Sequence, residues 1–213
     1  VIVLADNDLI LKLAQCDLLK DLTQLLGADV GHQIFVSPTA PFQLLPKNPQ
    51  KALNKAGNEA TLIALRNFLA VTTELPPIQD ESLLVSMEGI TGIDSGEQLL
   101  FAAMAELEQS FLATGDRRAL SAVTANQAAI PVVYDSLHDR VLTFETALLL
   151  ALAEFGFPNV KQRLLGNPKP DGVLRLVLRD EMQEQELVEC LVSYSRSMLP
   201  FLARKDRLAV YYA

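Results

Sequence analysis

Ile2 to Ala14 reads I-V-L-A-D-N-D-L-I-L-K-L-A, and its two halves follow different patterns. Val1 to Ala5 is a short unbroken apolar run, the pattern of a parallel strand buried on both faces. It stops at Asp6-Asn7-Asp8. Leu9, Leu11 and Leu13, then Leu18, Leu19, Leu22, Leu25 and Leu26, predict one or two helices ending at Gly27. The chain thus opens as a strand, an acidic turn and a helix.

The same grammar repeats downstream. Gln33 to Val36 predicts a second strand, and Ser37-Pro38-Thr39-Ala40-Pro41 a turn that starts a helix. A Lys- and Pro-rich loop around Pro46 to Pro49 leads to a long amphipathic helix over Lys51 to Ala70, and Pro76-Pro77 ends that region. Asp94-Ser95-Gly96-Glu97 has the form of a helix start, with Leu99, Leu100, Ala103 and Met104 following it. Ser110 to Thr114 predicts a third strand, Arg117 to Asn126 a helix, and Ile130 to Tyr134 a fourth strand ending at Asp135. Strands alternating with helices predict an α/β protein with parallel pairing and helices on both faces of the sheet. That places the carboxyl ends of the strands along one edge. Asp6, Asp116 and Asp135 all follow such ends.

Composition limits what these residues can do. With 213 residues, half of them hydrophobic, the chain can bury a sizeable core. The most apolar stretch, Phe144 to Phe157, is cut by Glu145 and Glu154, so no membrane span is expected. No basic and apolar leader precedes the first strand, and the expected compartment is the cytoplasm. Cys16 and Cys190 have no Cys or His at metal spacing, which predicts two buried thiols rather than a disulfide or zinc site. A net charge of −8 argues against a broad basic surface for nucleic acid. The imbalance is uneven: residues 136–213 carry ten basic and ten acidic side chains, the first 135 eight and sixteen. Excess carboxylates are either solvated or gathered where a cation neutralises them. Each has a structural reading as well, Asp94 as a helix cap and Asp6 as a strand-end cap.

Three segments in order resemble the PIN-domain nucleases. Ile2 to Ala14 looks like that family's first strand and acidic turn, with Asp6 matching its first metal-site Asp and Asp8 standing where Asn is usual. D-S-G-E-Q-L-L-F-A-A-M-A (Asp94 to Ala105) is similar to its central helix start, whose acidic residue corresponds to Glu97. F-L-A-T-G-D-R-R-A-L (Phe111 to Leu120) resembles the strand and turn that supply a third ligand, here Asp116. The resemblance covers about Val1 to Tyr134. It implies a three-layer α/β/α sandwich that cleaves RNA with Mg²⁺ or Mn²⁺ held by Asp6, Glu97, Asp116 and Asp94. It also implies a homodimer and a toxin–antitoxin setting with an antitoxin-type protein partner. Where many members carry a further Glu, P-T-A-P-F-Q-L-L has Gln43, a neutral and poorer ligand, so Asp8, Asp94 or Asp135 would make up the charge. Arg117 and Arg118 are candidate phosphate contacts.

On this reading residues 1–135 form the nuclease domain and 136–213 a docked helical extension. The extension is expected as a helix over Leu142 to Phe155, a turn from Gly156 to Asp171, and a long helix from Val173 to Met198. Two other readings use the same residues. One is a degenerate PIN-like module that binds RNA or protein without catalysis. The other is a haloacid-dehalogenase-like phosphatase with Asp6 as nucleophile and Asp8 as acid. The residues after Asp8, L-I-L-K-L-A, lack the small flexible turn of the latter family.

Overall fold

The computed structural model describes residues 2–27 and 32–212; Val1, the expected first residue of the opening strand, lies outside them. Ile2–Ala5 forms β1, buried because Val3, Leu4 and Ala5 face helices on both sides and have no solvent-exposed surface to speak of. In chain order follow α1 (Asn7–Gln15), α2 (Leu22–Leu25), β2 (Gln33–Val36), α3 (Ala40–Leu44), α4 (Pro49–Ala56) and α5 (Glu59–Leu69). Next come β3 (Thr73–Glu74), α6 (Glu81–Met87), α7 (Ser95–Glu106), β4 (Ser110–Ala113), α8 (Arg117–Ala125) and α9 (Pro131–Leu137). The chain closes with β5 (Val141–Leu142), α10 (Phe144–Phe155), α11 (Phe157–Leu165), α12 (Leu174–Val177), α13 (Glu184–Ser195) and α14 (Lys205–Tyr212).

The five strands form one parallel sheet in the order β3-β2-β1-β4-β5, the central layer of a three-layer α/β/α sandwich. β1 is central, with Val3 opposite Ile34 on one side and Phe111 on the other. From β1 the chain builds outward to β2 and β3, then returns to build β4 and β5 on the opposite flank. The order therefore reverses between β1 and β4, and a crevice opens outside the carboxyl ends of adjacent strands at such a point. Asp6 donates its backbone N–H to Ala113 O at 2.8 Å, so the two chain segments stay paired up to the rim of that crevice.

Several expectations differ from the structure. Ile130 to Tyr134 is not a strand: Pro131 starts α9, where its missing N–H costs nothing, and the β-branched and aromatic residues after it pack as a helix. Asp135 consequently sits on an exposed helix face rather than at a strand end. The fifth strand comes instead from Val141–Leu142, beyond residue 135, so the sheet itself crosses the expected domain boundary. The long helix over Lys51 to Ala70 is two helices, because Gly57 takes φ 96° and Asn58 caps a new helix by accepting from Thr61 N at 2.7 Å. The segment from Val173 to Met198 is likewise broken, into α12 and α13, and the expected turn after Gly156 contains α11.

The C-terminal helices are built into the core. α10 is covered along most of its length by α13, α14, α11 and α2, and Phe144, Leu148, Leu149 and Leu150 are fully buried. Thr143 and Thr146 form a reciprocal cap at its start. Leu202 pairs with the outer strand through Val141 N to Phe201 O and Ala203 N to Val141 O, both 2.8 Å. Both cysteines are free thiols, Cys16 buried as expected and Cys190 only partly covered, and no described helix is long and apolar enough to cross a membrane.

Candidate functional site

Asp6 stands one residue past β1, at the mouth of the crevice, because Ala5 is the last residue paired on both sides. Its own carboxylate does not cap α1. Burial first, and the nearby charge of Asp8 second, push its pKa up to about 6, while the amides of Asn7, Asp8 and Gly115 act in the opposite direction. An acid so desolvated sits where a positive charge would be welcome.

Asp116 reaches the same place from β4. The strand ends at Ala113, Thr114 Oγ1 accepts from Asp116 N at 3.1 Å, and Asp116 Oδ1 caps α8 by accepting from Arg118 N and Ala119 N at 2.8 and 3.0 Å. Its other oxygen lies 3.5 Å from the guanidinium of Arg118, which is 90% exposed.

Asp94 and Glu97 arrive on the first turn of α7 as a capping box. Asp94 Oδ1 accepts from Gly96 N at 2.7 Å and Glu97 N at 3.0 Å, and Glu97 Oε2 accepts from Asp94 N at 2.7 Å. Burial pushes Glu97 up to about 8, and its hydrogen bond with Asp94 and the charges of Asp94 and Asp116 act in the same direction. Asp94 is held below the usual carboxylate range by its hydrogen bond with Glu97 and by the two amides it caps. The two shifts run in opposite directions, so Glu97 takes up a proton before Asp94 does.

Two adjoining cavities share Asp6, Asp8 and Glu97. One, of about 730 Å³, adds Asp116, Arg118, Lys12 and Asp171; the other, of about 490 Å³, adds Asp94, Gln43, Lys55 and Ser37. The crevice thus brings together Asp6, Asp8, Asp94, Glu97 and Asp116 with Gln43 at the edge. It leaves out Asp135. Gln43 accepts a 2.7 Å hydrogen bond from the Asn7 side chain, which ties α3 to the acidic turn. Arg117 lines the larger cavity, but its charge is already engaged. Its guanidinium donates to Tyr194 O at 2.9 Å, stacks over the Tyr194 ring at 4.7 Å and lies 3.9 Å from the buried Glu145.

The donor set is made of carboxylate oxygens, which suits a hard divalent cation such as Mg²⁺ or Mn²⁺, and the desolvated Asp6 and Glu97 have excess negative potential around them. In chemistry the residues fit. As placed, however, no group of three or more acidic, His or Cys side chains among the described residues stands close enough together to hold a metal ion.

Lys12 and Asp171, neither of them marked out by the sequence, also line the larger cavity. Lys12 Nζ lies 2.8 Å from Asp8 Oδ2 and 3.4 Å from Asp171 Oδ2. Burial alone would lower its pKa, but the bond and charge of Asp8, followed by those of Asp171, hold it above its ordinary value. The i,i+4 spacing of Asp8 and Lys12 was the available signal; Asp171 comes from the far end of the chain. Comparison with protein-family models, with curated proteins and with solved structures gives no match to this chain in any of the three.

Proposed function

We propose that this protein is a divalent-metal-dependent ribonuclease working at the crevice between β1 and β4. The observation that supports this most is the joint placement of Asp6, Glu97 and Asp116, on three separate elements, around one cavity where two of them are strongly desolvated. These residues and Asp94 would hold Mg²⁺ or Mn²⁺. When bound, such an ion acidifies a water and stabilises the charge that develops on a phosphodiester.

The chain's own groups have separable tasks. Asp6 forms the floor, fixed by the paired ends of β1 and β4. Asp116 spends one oxygen on its helix cap and keeps the other toward the cavity side, next to Arg118. The exposed guanidinium of Arg118 is placed to meet a phosphate. Lys55 on the wall of the smaller cavity offers a second cation for the backbone of the nucleic acid. Phe42, 66% exposed and next to Gln43 in the chain, presents an aromatic face on which an unpaired base can stack. An acidic crevice with so few cations favours a single-stranded substrate that is held by a few contacts over one gripped along its length.

The test uses purified protein, Mn²⁺, a labelled single-stranded RNA and a generic phosphomonoester. The expected result is metal-dependent RNA cutting that is lost in Asp6→Asn and in Asp116→Asn. Turnover of the phosphomonoester without RNA cutting would replace this reading with a phosphatase. RNA binding with neither reaction would replace it with a non-catalytic module.

A further inference from the structure

The carboxylates around the crevice fall into two groups that differ in how their charge is met. Asp6 and Glu97 enter no ion pair among the described residues, and Asp116 meets only the solvated Arg118. Asp8 and Asp171, by contrast, both converge on the ammonium of Lys12, at 2.8 and 3.4 Å. Lys12 is largely covered, with 22% of its side chain exposed, and Asp171 more so at 15%. The ammonium is backed by the ring of Phe144 at 5.6 Å.

The surroundings are shaped around this pair. A methyl group at Gly115 would stand 2.6 Å from Asp8 Oδ2 and 3.5 Å from Lys12 Nζ, so the turn before Asp116 closes tightly over the pair and a side chain there would push the Asp8 carboxylate aside. Asp171 is itself fixed from behind, since its Oδ1 accepts from Leu174 N at 3.0 Å at the start of α12. A lysine four residues after Asp8 would otherwise be free to swing to solvent. Here it is held inward from both sides.

Resting on the reading of the crevice as a divalent-cation site, we infer that the Lys12 ammonium, pinned between Asp8 and Asp171, fills a second cation position, so that the site takes one divalent ion rather than two. A dication sharing Asp8 would have to displace the ammonium or sit beside it, against the repulsion of two positive centres in a partly desolvated space. The one-ion position lies on the other side of the cavity, among Asp6, Glu97 and Asp116. Lys12 is in this sense a positioning residue: it keeps Asp8 off the divalent ion and supplies a fixed charge that needs no ion from solution.

Metal counting tests this without reference to activity. Mn²⁺ alone is titrated into the metal-free 213-residue chain, with heat and the electron paramagnetic resonance signal of free Mn²⁺ as independent readouts. One ion per chain is expected for wild type and for Lys12→Arg, which keeps the charge, and two for Lys12→Met. Two ions in wild type would overturn the inference while leaving the nuclease reading intact, and this needs no variant to fold. A single ion in a folded Lys12→Met, judged by its circular dichroism, would overturn it as well. No Mn²⁺ bound by any of the three would overturn the metal-site reading and the inference with it.

Discussion

Replacing Asp6 by Asn removes a group proposed for catalysis and should nevertheless make the metal-free protein more stable at neutral pH. The Asp6 carboxyl titrates near 6 in the folded chain against 3.8 for an ordinary aspartate, chiefly because it is buried and secondarily because Asp8 is near. That difference is worth about 3 kcal/mol. Its sign follows from proton counting. Between pH 3.8 and 6 the folded state binds more protons than the unfolded one, so stability falls as pH rises through this window. Below it both states are protonated and nothing is lost; above it the full penalty is present. Asn has the same shape and no charge, so at pH 7.5 it recovers up to about 3 kcal/mol, roughly 6–12 °C in melting temperature for a chain of this size. The assay is thermal unfolding of wild type and Asp6→Asn in a chelator, from pH 3.5 to 8. The two should melt together at the acid end and diverge as pH rises, with the variant higher. Saturating Mn²⁺ should then raise wild type, by about 2.7 kcal/mol at a hundredfold excess over its dissociation constant, and leave the variant unmoved. A variant that melts below wild type in chelator at pH 7.5, or a gap that does not change with pH, would refute the claim that Asp6 is an unneutralised buried acid.

Gln43→Glu adds a carboxylate at the edge of the smaller cavity, where Gln43 now accepts from Asn7. The variant should melt lower than wild type in chelator and show a larger rise with Mn²⁺ than wild type does; equal rises would remove Gln43 from the metal's surroundings. Arg117→Ala cuts the tie from α8 to Tyr194 and Glu145 and leaves that buried carboxylate without its cation. A loss of about 2–4 kcal/mol is expected in urea unfolding, and a loss under about 0.5 kcal/mol would show that the contact is dispensable.

The sequence was most readable where burial on both faces leaves a continuous apolar run. β1, β2 and β4 have that signature, and they carry Asp6 and Asp116 to the crevice. The helix start at Asp94 was readable for another reason, since a capping carboxylate bonds amides two and three residues on, a local property. β3 and β5 are two residues each, too short for any period, and are strands only because a neighbour offers its edge. P-V-V-Y after Ile130 has strand-forming side chains, and tertiary packing with a proline at the first helical position overrode them. Lys12 was hidden because its meaning depends on Asp171, which no spacing rule connects to it. Contacts between segments far apart in sequence could not be read at all.

The short outer strand has a consequence for how the molecule can be cut or altered. Val141 spends its N–H on Phe201 and its carbonyl on Ala203, so the last segment of the chain seals one flank of the sheet. A parallel sheet with an open flank presents unpaired amides and carbonyls to any extended peptide, including the same segment of another molecule. A version of this protein trimmed to its first 135 residues would lose β5 and bare β4, whose Leu112 and Ala113 are fully buried. One trimmed near residue 200 would bare β5 instead. Both should self-associate rather than behave as a minimal enzyme, because each exposes a strand edge that is paired in the whole chain.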